Sequence, residues 1–284
     1  MTRAHARRWS AGLINSLAPE SRARVLASLD DEAAWLLARD WRFWARKAQL
    51  PPSGGEEESD WRIWLFLGGR GAGKTRSGAE WIAENVRAGR MRRIGLIGAT
   101  HADVRAVMVE GESGLLAVTQ GAAFEPANSR LIWPCGAVAT LLSAAEPDSF
   151  RGHQFDGIWL DEFCKVRDPQ AALDMALMCL RLGEKPRMLI TTTPRNHPAL
   201  AALLQSPHVA VTRSGTADNA ANLADGFYDL MRARYGGSAL GRQELGGALI
   251  ADNDGALWQR GWIEARRVGR APELTRNVVA VDPP

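Results

Sequence analysis

Apolar residues run almost without interruption from Trp61 to Leu67, and the run stops on glycine at Gly68. That is the pattern of a strand covered on both faces of a parallel sheet. Shorter apolar runs recur at 92–99, 157–162, 187–193 and 208–212. Stretches with helical spacing lie between them, at 74–87, 101–108, 168–182 and 198–205. Strands alternating with helices predict an α/β fold built on a doubly wound, mostly parallel sheet. Residues 129–144 contain two short apolar runs around Pro134, Cys135 and Gly136, which predict a hairpin.

The flanks follow other patterns. Val25, Leu26, Leu29, Ala33, Leu36, Leu37, Trp41 and Trp44 recur at three- and four-residue steps, predicting an amphipathic helix or helix pair over 20–48 that Pro51 and Pro52 end. Residues 1–18, with Arg3, Arg7 and Arg8, lack periodicity and read as an arm, and the acidic stretch 53–60 reads as a linker. Beyond Gly215, residues 223–235 are amphipathic up to Gly236 and Gly237, and 238–245 form a second short helix. The expected organisation is an arm and helical extension at 1–52, a core at 61–215, a small helical appendage at 216–254, and a basic linker at 255–284. That last segment closes with the apolar strand Asn277 to Asp282.

Composition narrows the class. A chain of 284 residues with 46% hydrophobic content can bury a large core. Cys135, Cys164 and Cys179 are odd in number and lack Cys-x-x-Cys spacing, so they read as small core residues in a reducing compartment. No apolar stretch approaches the ~18 residues of a membrane span, and no signal peptide is visible, so a soluble protein is expected. A net charge of +3 is compatible with nucleic acid without establishing it. Five of the eleven tryptophans, Trp35, Trp41, Trp44, Trp61 and Trp64, precede the glycine turn and read as packing rather than base stacking.

The candidate chemistry begins where the first strand ends. Gly68, Gly73, Lys74 and Thr75 satisfy Gly-x4-Gly-Lys-Ser/Thr, the phosphate loop, in which backbone N–H groups surround phosphate oxygens at a helix N-terminus. The loop also contains Gly69, Arg70, Gly71 and Ala72. The strand at 157–162 delivers adjacent carboxylates, Asp161 and Glu162, to its C-terminal edge, where ligands bind in open α/β sheets. Neighbouring side chains diverge there, so Asp161 suits a Mg²⁺ shell and Glu162 an attacking water. A helix cap is the plainer reading of both. Thr191, Thr192 and Thr193 end another strand and could sense the terminal phosphate, although Thr191 reads equally well as a strand filler. Gln49 suits an adenine edge or simply a surface.

These motifs together resemble a family. Gly-Gly-Arg-Gly-Ala-Gly-Lys-Thr from Gly68, Phe-Arg-Gly-His-Gln-Phe-Asp-Gly-Ile-Trp-Leu-Asp-Glu ending at Glu162, Thr-Thr-Thr-Pro-Arg from Thr191, Thr-Ala-Asp-Asn-Ala-Ala-Asn-Leu from Thr216 and Gly-Arg-Gln-Glu-Leu-Gly-Gly from Gly241 resemble the large terminase subunit of tailed phages and phage-like gene transfer particles. The resemblance implies a P-loop NTPase of the additional-strand, catalytic-glutamate (ASCE) type. It implies an ATP- and Mg²⁺-dependent motor that moves double-stranded DNA into a procapsid. The motor would work as a homo-oligomeric ring on the portal, with a small terminase subunit, in the cytoplasm of the bacterial host. Carried over by residue, Lys74 and Thr75 bind phosphates and Mg²⁺, Asp161 completes the metal site and Glu162 positions water. Arg70 is the loop arginine, Arg151 a trans-acting arginine finger, Gln49 the adenine-proximal glutamine, and Thr192 and Thr193 the coupling motif. Asp282 matches the first metal-binding acid of a C-terminal RNase H-like nuclease; one carboxylate cannot hold two metals, so no nuclease activity is expected. Arg151 also reads as a surface loop arginine, and Asp282 as a tail residue.

Other readings remain. A DNA-stimulated ring or helicase-like P-loop ATPase shares the Walker motifs, but no second RecA-like repeat is visible. A non-catalytic assembly module would be expected to lack Lys74 or Glu162, and both are present.

Overall fold

A computed structural model of the chain describes residues 10–52 and 61–249, together with Trp258 and Arg266. The strand at Asn277 to Asp282, Arg3, Arg7, Arg8, the 53–60 linker and most of the basic 255–284 segment lie outside the described residues.

The predicted alternation is present. Strands β1 (Ile63–Gly68), β2 (Arg93–Gly98), β3 (Ala123–Glu125), β4 (Arg130–Ile132), β5 (Val138–Ser143), β6 (Gly157–Asp161), β7 (Arg187–Thr192) and β8 (Val209–Ser214) form one sheet in the order β3-β4-β5-β2-β6-β7-β1-β8. From β5 to β8 every pairing is parallel, and only the β3-β4-β5 edge is antiparallel. The hairpin read around Pro134 is β4–β5, and β3 is an additional strand that the sequence pattern did not reveal. One strand, β7, separates the carboxylate strand β6 from the phosphate-loop strand β1, as the additional-strand type requires.

Both faces of the sheet are covered. Along β1, Ile63, Leu65 and Leu67 enter one apolar cluster while Trp64 and Phe66 enter the other, so the continuous apolar run divides with the two-residue period of a strand. On one face lies the helix Lys74–Arg87, with Ala79, Trp81, Ile82 and Val86 buried against Trp64 and Trp159. On the other lie Pro169–Cys179 and Pro198–Gln205.

Several expected boundaries change. The single amphipathic stretch over 20–48 is broken into Pro19–Ala27, Asp31–Arg39 and the one-turn Trp41–Trp44, because two aspartates stop the helical run. Asp30 Oδ1 accepts the Ala33 N–H at 2.7 Å and Asp40 Oδ1 that of Arg42 at 3.0 Å, each restarting a helix. Within the arm, residues Ala11–Ser16 form a short helix capped by Ser10. Trp35 and Trp44, read as packing, are each 53% exposed, whereas Trp61 and Trp64 are buried. The helix expected to reach 182 ends at Cys179, because Leu180 leaves it to pair with Phe155. The segment after Thr100 makes one α-helical turn and then a π-helix, Val104–Val109. Of the cysteines only Cys179 is buried; Cys135, at the hairpin turn, is exposed.

Candidate nucleotide site at the C-terminal sheet edge

Parallel strands end on the same side, and that fixes what meets there. β1 runs into the phosphate loop, β6 ends at Asp161 and β7 at Thr192, with Asp161 opposite Thr191 and Leu67 opposite Thr192 in register. The loop turns into the helix Lys74–Arg87 through Gly73, whose φ of 81° lies in the left-handed region that favours glycine. Gly69 is needed for a different reason: a Cβ there would stand 2.4 Å from the Leu245 carbonyl oxygen, so the turn at Leu245 lies directly on the loop.

Lys74 is buried, and its Nζ donates to the carbonyls of Gly68 and Gly69, both at 3.1 Å, and to Thr193 Oγ1 at 3.0 Å. Glu162 Oε1 lies 3.5 Å from the same nitrogen, and its Oε2 accepts the Thr193 N–H at 3.4 Å. Glu162 holds this position with φ of 51°, a conformation that is strained for a non-glycine residue and that turns its carboxylate toward the loop lysine as the strand ends.

Asp161 is buried beside it. Its carboxyl is pushed up to about 6, first by burial and then by the Glu162 charge, against the opposing pull of Thr191 and Lys74. Thr191 Oγ1 donates to Asp161 Oδ1 at 2.5 Å while accepting the Trp159 indole N–H at 2.9 Å. Thr191 is therefore a fixed member of the site, and strand propensity alone had left it indistinguishable from a filler. Thr192 Oγ1 accepts the Cys164 N–H and donates to the Thr193 carbonyl, both at 3.0 Å, tying the turn after β6 to the end of β7.

Gln49 is buried rather than superficial. Its Nε2 donates to the Gly73 carbonyl at 3.3 Å and its Oε1 accepts the Arg46 N–H at 3.2 Å. Next to it Arg46, which the sequence reading did not single out, donates to the Ala72 carbonyl at 2.7 Å and to Asn219 Oδ1. Desolvation lowers the Arg46 pKa. No motif signals Arg46; only its place three residues before Gln49 on one tight turn does. Arg46, Gln49, Gly73 and Asn219 line one end of a groove of about 1650 Å³ that continues past Trp41 toward Trp35.

Arg70 and Arg151 stand apart from this cluster. The Arg70 side chain is exposed and pairs with Glu244 Oε2 at 2.8 Å, which raises its pKa. Arg151, 74% exposed, pairs with Asp148 Oδ1 at 3.0 Å. Thr75, in the first helical turn, is half-buried. Asp282 lies outside the described residues.

The arrangement offers a cation, two carboxylates, hydroxyls and a helix N-terminus around one point, the equipment for binding and cleaving a polyphosphate. Over residues 65–265 the chain matches the family model described as terminase large subunit, T4likevirus-type, N-terminal. No curated protein matches. The fold is similar to the large terminase ATPase domain of Thermus phage P74-26, with 15% identity, a TM-score of 0.56, and coverage of 78% of this chain and 98% of that one. It is also similar to the large terminase of a thermophilic bacteriophage in complex with ADP, at 16% identity, TM-score 0.57, and 75% and 52% coverage. A third likeness is the HK97 bacteriophage large terminase, at 17% identity, TM-score 0.51, and 65% and 46% coverage. The matched region thus spans about half the length of the ADP-bound terminase and of the HK97 chain.

Proposed function

The chain belongs to the terminase large-subunit family, and we propose that it is an ATP-hydrolysing motor domain that drives double-stranded DNA into a procapsid. The observation that carries this reading is the convergence of Lys74, Asp161 and Glu162 at one sheet edge, with the Lys74 amine 3.5 Å from the Glu162 carboxylate. Lys74 and the loop amides of Gly71, Gly73 and Lys74 bind the phosphates, and departing charge is met by the amine and the helix N-terminus. Glu162 orients the attacking water. Gln49, at the groove beside Gly73, faces the base side of the nucleotide.

Mg²⁺ suits the donors present: Thr75 and Asp161 supply oxygen ligands of the kind that this ion takes together with nucleotide phosphates. A buried carboxyl pushed up to about 6 is also a group that a divalent cation would stabilise in its ionised form. When bound, the ion neutralises charge on the phosphates. Arg151 is the arginine finger that serves a neighbour's site in a ring; its exposure, with Asp148 as its ion-pair partner among the described residues, supports that reading. Thr192 and Thr193 link the γ-phosphate side of the site to the turn after β6 and so form the coupling element. Residues 216–249 pack on the loop as a lid. The portal, the small terminase subunit and a homo-oligomeric ring are the assembly in which this domain works. No helix among the described residues is long and apolar enough to cross a membrane.

The test is steady-state hydrolysis of ATP with Mg²⁺ over a series of protein concentrations, with and without double-stranded DNA. Glu162→Gln is expected to keep nucleotide binding and to lower turnover by about 100-fold or more. Undiminished hydrolysis in that variant would remove the role assigned to Glu162.

A further inference from the structure

Four consecutive carbonyls of the phosphate loop are each held by a side chain from outside the α/β core. Thr216 Oγ1 donates to the Arg70 carbonyl and Asn219 Nδ2 to that of Gly71, both at 2.6 Å. Arg46 Nη2 donates to the Ala72 carbonyl at 2.7 Å and Gln49 Nε2 to that of Gly73 at 3.3 Å. Two donors precede the core in sequence and two follow it. Arg46 joins the pairs, because its other terminal nitrogen donates to Asn219 Oδ1, while its buried Nε has no partner among the described residues.

A trans peptide plane carries its C=O and the following N–H in opposite directions. Pinning the carbonyls of Arg70 and Ala72 on the outer side therefore turns the N–H groups of Gly71 and Gly73 to the inner side, whereas the Gly73 carbonyl is also held by the core helix, through the Ser77 N–H at 3.1 Å and Ser77 Oγ at 2.9 Å. The amides of Gly71, Gly73 and Lys74 have no protein acceptor among the described residues, whereas the Ala72 N–H is taken by the Gly69 carbonyl at 3.2 Å. A loop rich in glycine would otherwise sample many orientations, and binding an anion would have to order it.

We propose that Arg46, acting with Asn219, is a positioning residue for phosphate binding: it fixes the loop's peptide planes from behind so that their amides face the anion. The role rests on the nucleotide reading above. It differs from that of Lys74, because Arg46 acts on the loop carbonyls and through them.

The experiment compares wild type, Arg46→Ala, Arg46→Lys, Asn219→Ala and the Arg46→Ala/Asn219→Ala double variant. It measures equilibrium binding of ATP and of tripolyphosphate, kcat and KM for ATP, and ligand-free melting. Arg46→Ala is expected to weaken both ligands about tenfold while kcat at saturating ATP changes less than twofold. Arg46→Lys, which keeps the charge but loses the fork that reaches two acceptors, is expected to recover only part. The double variant is expected to bind no worse than the weaker single variant within about twofold, because both residues act through one hydrogen-bonded unit. Should Arg46→Ala fail to fold, Arg46→Lys and Asn219→Ala carry the comparison. Unchanged binding in these variants overturns the proposal, as does a loss confined to ATP, which would assign Arg46 to the base or ribose. Complete recovery by Arg46→Lys overturns it too, since charge alone would then suffice. If wild type binds neither ligand, the nucleotide reading itself falls and the proposal with it.

Discussion

Asp161 keeps its proton up to about pH 6 in the folded protein, because burial and the adjacent Glu162 charge both oppose ionisation. In the unfolded chain the same group ionises near its ordinary value of 3.8. Between these two values the native state binds more protons, so stability falls as pH rises from about 4 to about 6 and is level above that. Asp161→Asn removes the buried charge while its side-chain oxygen can still accept from Thr191. The variant is expected to gain on the order of 2–3 kcal/mol at pH 7–8 and to lose hydrolysis. Melting curves at pH 4.5 and 7.5 check this: the gain should be present at the higher pH and small at the lower. Proton and metal would also compete for the carboxylate, so the Mg²⁺ concentration giving half-maximal hydrolysis should rise as pH drops through 6. Thr191→Val keeps shape but leaves the Trp159 indole N–H and Asp161 without their shared hydroxyl. A loss of about 1–3 kcal/mol in denaturant unfolding is expected.

The helix Lys74–Arg87 packs most tightly on strand β6 at Gly78. A Cβ on Gly78 would stand 2.1 Å from the Trp159 ring, so the phosphate-loop helix approaches the carboxylate strand as closely as it does only because residue 78 has no side chain. Trp159 is fully buried and its indole is fixed by Thr191, so it has little room to yield. Gly78→Ala is expected to destabilise by about 2 kcal/mol or more despite alanine's better helix propensity, and to raise KM for ATP by shifting the helix N-terminus. A Tm equal to that of wild type would show that the sheet absorbs the methyl group. In the N-terminal extension local chemistry decided the outcome differently. Asp30 and Asp40 cap new helices where apolar spacing had suggested continuity, and Trp35, Leu36 and Trp44 stay exposed along the groove.

At the scale of the molecule, the phosphate loop is clasped by the segments on either side of the core in sequence. The preceding segment reaches the loop through Arg46 and Gln49, the following one through Thr216, Asn219 and Glu244. Among the described residues Arg151 has no such anchor beyond Asp148. If it acts on a neighbour, specific ATPase activity should rise with protein concentration, and Arg151→Ala should retain ATP affinity while turnover falls about 100-fold or more. Mixing Arg151→Ala with Lys74→Ala subunits should restore part of the activity, since each supplies what the other lacks. No recovery, together with concentration-independent turnover, would return Arg151 to an ordinary surface residue.

The amino-acid sequence by itself determined the strand-to-loop junction at Gly68, the helix from Lys74 to Arg87, the carboxylates at the end of β6 and the alternation that makes a parallel sheet. These follow from local rules: apolar runs of strand length, glycines at a tight turn, and a helix beginning on Lys-Thr. Tertiary structure alone decided which polar groups meet. Thr191 became the bridge between Trp159 and Asp161 because β7 lies beside β6 in a register that no pattern along the chain encodes. Arg46 and Asn219, 173 residues apart, came together on the loop's outer face because the two flanks pack there. The physical reason is that periodicity and turn chemistry act over a few neighbouring residues, whereas hydrogen-bond partners of buried polar groups are set by whichever distant segment closes over them.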